Sequence, residues 1–60
     1  MSVSVDELYE SWINGNRSWV IEEITKMSKP KGALAAAYLY DLMDDYNKGV
    51  FGRLLGGTAP

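Results

Sequence analysis

Sixty residues, 47% of them hydrophobic, describe one globular domain. A chain this short buries only about 60% of the surface its unfolded form exposes, so its own core is marginal. It has no cysteine and no histidine, which excludes disulfides, thiolate nucleophiles, imidazole bases and the usual zinc sites, and its formal net charge of -2 gives no basic footprint for double-stranded DNA.

The first element turns on the stretch WINGNRSW, residues 12 to 19. Asn14-Gly15 is a strong hairpin signal, but the flanking residues would then have to alternate apolar and polar, and they do not. Val5, Leu8, Tyr9, Trp12 and Ile13 instead follow the spacing of one helix face, opposite Asp6, Glu7, Glu10 and Ser11. A helix over about 5–14 is therefore expected, ended by Gly15 in the left-handed conformation. At its start, Ser4 and Glu7 fit a capping box, with Val3 and Leu8 placed as a hydrophobic staple.

A second helix is expected over about 17–28, capped by Asn16 or Ser18 and closed where Pro30 forces Lys29 out of helical geometry. Val20, Ile24 and Met27 share its inner face, widened by Ile21. Trp19 falls on the opposite face, either offered to a partner or folded back over the first helix. A third helix should run over about 33–47, after Gly32 and up to a stop at Gly49, with Ala35, Leu39, Leu42 and Tyr46 on its core face, flanked by Tyr38 and Met43. Its far face carries Ala33, Ala36, Ala37 and Tyr40, a ridge of small residues that lets another backbone come close. A short helix over about 50–55, with Val50, Phe51, Leu54 and Leu55 on one side, precedes a flexible tail at 56–60. The expected fold is all-α, a compact bundle of three helices plus a short C-terminal helix in a single domain.

Candidate chemistry is sparse. Asp41, Asp44 and Asp45 lie within about one helical turn, but read best as an exposed acidic face with Asp44 paired to Lys48, and no metal or other cofactor is assigned. Lys26, Lys29 and Lys31 crowd the connection before the third helix, whose free amides could hold a small anion such as a nucleotide, although no P-loop pattern is present. A DNA-reading helix is disfavoured because ALAAAYLYDLMDD carries three acids and no basic residue. Trp19, Tyr40, Ala33, Ala36, Ala37, Phe51 and Leu54 are the candidate partner-binding residues, since aromatic side chains dominate binding hot spots.

The longest charge-free run, GALAAAYLY at 32–40, falls far short of the roughly 20 apolar residues of a membrane span, and Asp6 and Glu7 stand where a secretory leader is basic. A cytoplasmic location away from membranes is expected. The stretch LYESWINGNRSWV resembles the small orphan reading frames of bacteriophages and other mobile elements. That resemblance implies an accessory protein that works by binding in the host cytoplasm, for example as an inhibitor of a host enzyme or defence system. The expected function is a non-enzymatic protein-interaction module acting as a homo-oligomer, and the alternative is an oligomeric binder of a small anionic ligand.

Overall fold

In a computed structural model, which describes residues 3–56, helix α1 (Val5–Ile13) is fixed at both ends by the residues around it. Ser4 is extended, at φ -82° and ψ 159°; its hydroxyl accepts the Glu7 amide at 3.2 Å, while its own amide donates to the Glu7 carboxylate at 3.3 Å. Two of the helix's otherwise unpaired amides are thereby satisfied. At the far end Gly15 takes φ 96°, the Gly15 amide donates to the Trp12 carbonyl and the Asn16 amide to the Ser11 carbonyl. This is the Schellman arrangement, and it turns the chain into α2 (Arg17–Lys26). WINGNRSW is a helix stop, not a hairpin. Leu8 and Trp12 are fully buried, with Val5 and Tyr9 half-buried beside them. Ile13, expected on the same face, is exposed, because at about 100° per residue it lies about 140° round the helix from Leu8.

Helix α2 buries Val20, Ile21 and Ile24. It stops at Lys26, two residues short of the expected end, because Met27 and Ser28 are both extended, with ψ of 156° and 152°. These two residues make the corner, and α3 (Lys29–Leu42) begins at once. Pro30 therefore opens this helix instead of delaying it to residue 33. In the first turn no amide has an intrahelical acceptor, so proline's missing N–H costs nothing there. Gly32 is consequently inside α3 and buried; a Cβ at this position would stand 3.1 Å from the Ile24 carbonyl oxygen. The bare glycine lets α3 press against the end of α2, and Ala35 and Leu39 continue the same buried face.

The expected third helix does not run through to Asn47. Met43 is extended at φ -86° and ψ 153°, and a fourth helix, α4 (Asp45–Gly56), starts two residues later. Asp44 makes the break: its carboxylate accepts the Asn47 amide at 2.8 Å and its carbonyl accepts the Lys48 amide at 2.8 Å, so it caps α4. α4 is thus twice the expected length and includes Gly49, which is no stop. Residues 57–60 of the expected tail lie outside the described residues; Gly56 is the last residue of α4.

The described chain is all-helical. Helices α1, α2 and α3 pack on one another, and the core is Leu8, Trp12, Val20, Ile21, Ile24, Ala35, Leu39, Met43 and Phe51. The break at Met43 also redistributes the face expected on the third helix. Met43 turns inward, whereas Leu42 is 48% exposed and Tyr46, now in α4, is 70% exposed.

Candidate interaction surfaces

The two flanks of α3 have different neighbours. On one side Ala36 is half-buried against the core, and Ala37, Tyr40 and Asp41 face Phe51, Gly52 and Leu55 of α4 across a shallow hollow. The Lys48 ammonium sits 5.3 Å from the centroid of the Tyr40 ring, a cation–π contact that ties α4 to this flank. The fourth helix therefore faces the alanine ridge across this hollow, and Ala33 and Ala37 remain exposed. Ala33, at the ridge's start, borders a second hollow with Thr25, Gly32 and Leu55.

On the other flank Leu34, Tyr38 and Leu42 recur at i, i+4 and i+8 and are 58%, 59% and 48% exposed. Side chains at this spacing stack along one side of a helix, so they form a continuous apolar stripe facing out. Tyr38 and Leu42 were expected in or beside the core. Gly32, Ala35 and Leu39 take that place, and bare Gly32 brings α3 close to α2, where a Cβ would stand 3.1 Å from the Ile24 carbonyl oxygen. Beside the stripe an open groove of about 770 Å³ is bordered by Leu34, Ala35 and Tyr38 of α3, by Val3 and Val5 at the start of α1, and by Met27.

The three lysines do not converge on one site. Lys26 pairs with Glu23 at 3.1 Å and shares the groove's border with Lys31, whereas Lys29 borders the separate hollow beside Ala33. Lys29 and Lys31 belong to the first turn of α3, not to a loop before it. Among the described residues no group of three side chains is arranged to hold a metal ion. Asp44 points its carboxylate at Asn47 and Lys48 lies over Tyr40, in place of the expected Asp44–Lys48 pair.

Among the remaining candidates, Trp19 is 39% exposed and stands outside the buried cluster. Leu54 and Tyr40 are also exposed. Phe51 is corrected from a partner-binding residue to a core residue: it is 2% exposed and meets the Trp12 ring edge-on, with centroids 5.3 Å apart and planes at 87°.

One constellation escaped the sequence reading. The buried Trp12 indole donates to the Asn47 side-chain oxygen at 2.9 Å, the Asn47 side-chain amide donates to Asp44 at 2.9 Å, and the Arg17 guanidinium lies 5.3 Å from the Trp12 ring centroid. A tryptophan sunk in a core needs an acceptor for its N–H, and Asn47 supplies it from the first turn of α4. The signal was present as Asp-x-x-Asn at 44–47, a cap pattern hidden inside an otherwise helical run. The two hydrogen bonds from Asn47, the backbone one first, hold the Asp44 carboxyl below its ordinary pKa.

No family model, no curated protein and no solved structure matches the chain. Among the described residues no helix is long and apolar enough to cross a membrane.

Proposed function

We propose that the protein is a non-enzymatic interaction module that associates with itself, and that the apolar stripe of α3 is its main contact surface. The observation carrying this reading is the exposure of Leu34, Tyr38 and Leu42 along one line in a chain with a nine-residue buried core. Scattered exposed leucines are ordinary, but a contiguous outward line on a domain this small marks a surface used in binding. Covering it removes apolar area from water, at about 25 cal/mol per Å², and supplements a core that is small for independent stability.

Trp19, Tyr40 and Leu54 remain outside this stripe and are available to an unrelated protein. The resemblance of LYESWINGNRSWV to small phage reading frames supports placing such a partner among host enzymes or defence proteins. Within one chain Lys29 borders a different hollow from Lys26 and Lys31, which gives the alternative, an oligomeric binder of a small anion, less support than self-association through the stripe.

Sedimentation equilibrium across a hundredfold dilution from about 100 μM tests the proposal. The expected result is a mass above the 6.7 kDa of one chain at high concentration, falling towards it on dilution, with a melting temperature that falls in parallel. A single-chain mass and a constant melting temperature throughout would overturn it.

A further inference from the structure

The charges of α3 are arranged against its own dipole. Lys29 and Lys31 occupy the first turn, at the positive end, and Asp41 sits in the last turn, at the negative end; the helix has no acid in its first turn and no base in its last. Neither Lys31 nor Asp41 forms an ion pair with another described residue. Within one chain this arrangement is unfavourable on both counts. An antiparallel neighbour of the same sequence reverses it, because the basic end of one helix then lies beside the acidic end of the other and the two dipoles oppose.

The spacing of the stripe fits such a neighbour. Lys31 lies three residues before Leu34, and Asp41 lies three residues after Tyr38, so the four positions are symmetric about a point level with Ala36. We propose that two copies pack their α3 helices antiparallel about a two-fold axis at that level. This rests on the self-association reading above and specifies its geometry. Leu34 of each copy packs on Tyr38 of the other, and Leu42 reaches the exposed Pro30. At each end of this apolar patch Lys31 of one copy meets Asp41 of the other. The contact is isologous, with the same residues contributed by both chains, so it closes at two copies. At about 1.5 Å rise per residue the two ion pairs stand roughly 15 Å apart, with the apolar quartet between them. Lys31, Leu34 and Tyr38 all border one groove, and Asp41, seven residues on from Leu34 and so about 20° round the helix from it, stands at the stripe's edge towards α4.

The test uses the full chain and variants at exposed positions, with circular dichroism confirming that each remains helical. Lys31→Asp or Asp41→Lys alone converts both ion pairs into like-charge contacts and should weaken dimerisation about tenfold, whereas Lys31→Asp with Asp41→Lys in one chain should restore it. Orientation is read by cross-linking, since the natural chain has no cysteine. An equal mixture of Lys31→Cys and Asp41→Cys chains should oxidise to the mixed dimer, and Lys31→Cys alone should not couple to itself. Association that ignores the charge changes, together with self-coupling of Lys31→Cys, would overturn the antiparallel arrangement while leaving self-association standing. A wild-type chain that never dimerises would instead remove the reading beneath it.

Discussion

The two flanks of α3 begin from similar material and end with different neighbours. One is a run of alanines with a tyrosine, and α4 leans against it through Phe51 and through Lys48 over Tyr40. The other has two leucines and a tyrosine, offers more apolar surface, and borders an open groove whose other wall is Val3, Val5 and Met27. On the first flank only Ala36 is half-buried, while Ala33, Ala37 and Tyr40 stay exposed across the hollow from α4; the small residues that are buried are Gly32 and Ala35, which allow close approach of backbones on the core side. The larger side chains are left outward, where a second molecule has room to meet them. On the proposed reading, internal packing and association are divided between two sides of one helix.

The sharpest way to break this contrast is to remove what holds the covered flank. Phe51→Ala should cost about 3–5 kcal/mol in urea or thermal unfolding, by loss of burial and of the edge-on contact with Trp12. Tyr38→Ala on the open flank, measured at a dilution where the chain is monomeric, should change stability by no more than about 0.5 kcal/mol. Comparable losses from the two would mean that both flanks are internal.

A smaller effect is expected where α4 is tethered. Asn47→Ala leaves the Trp12 indole N–H buried without its acceptor and removes the bond to Asp44, and should cost about 1–3 kcal/mol. Hydrogen exchange should show faster exchange in α4 than in α1, and uniform loosening of all four helices would contradict a local tether. In the opposite direction, Gly49→Ala should stabilise by about 0.4–1 kcal/mol, because the residue is in a helix, has ordinary φ, and leaves a Cβ with no atom within 4 Å. A loss of stability would show that Gly49 bends or ends the helix after all.

The smallest expected effect is the response to acid at the cap. The Asp44 carboxyl has its pKa lowered on folding, so its contribution is fully present above the ordinary value of 3.8 and is lost as pH falls through the depressed folded value. The side chain is fully exposed, and the effect should be modest. Asp44→Asn keeps a capping side chain without the titration, so its stability should decline less than that of the natural chain between pH 5 and about pH 2. Parallel decline of the two proteins would dissociate Asp44 from the acid response.

The corners of the fold show what could be read from the amino-acid sequence and what could not. The α1–α2 corner was legible because its determinant is a backbone conformation: Gly15 is the described residue with positive φ, and Ser4 and Glu7 mark the other end of α1 by fixed spacing. The α3–α4 corner was not. Nothing in Met43-Asp44-Asp45 forbids a helix, and the break is stabilised by Asn47, whose value depends on Trp12 thirty-five residues away. Pro30 was misread for a related reason, since proline both ends helices and begins them, and the choice is made by the extended Met27 and Ser28 before it. The outer position of Trp19, third residue of α2, was legible from its angle on the helix, and the residue is 39% exposed. Tyr38 and Leu42 were not, because the core face shifts when small residues draw the helices together. The stripe proposed to bind a second copy was therefore not read as one: Leu34 was assigned to no face, Leu42 to the core and Tyr38 to its flank.

The most direct measurement of the division between flanks is sedimentation equilibrium on Tyr38→Glu and Ala37→Glu, adjacent substitutions that place the same charge about 100° apart round α3, one on the stripe and one on the flank facing α4. Tyr38→Glu should sediment as a single 6.7 kDa chain with native helicity, and Ala37→Glu should associate as the natural protein does. The reverse outcome, a monomeric Ala37→Glu and an associating Tyr38→Glu, would contradict the account by placing the contact on the alanine ridge.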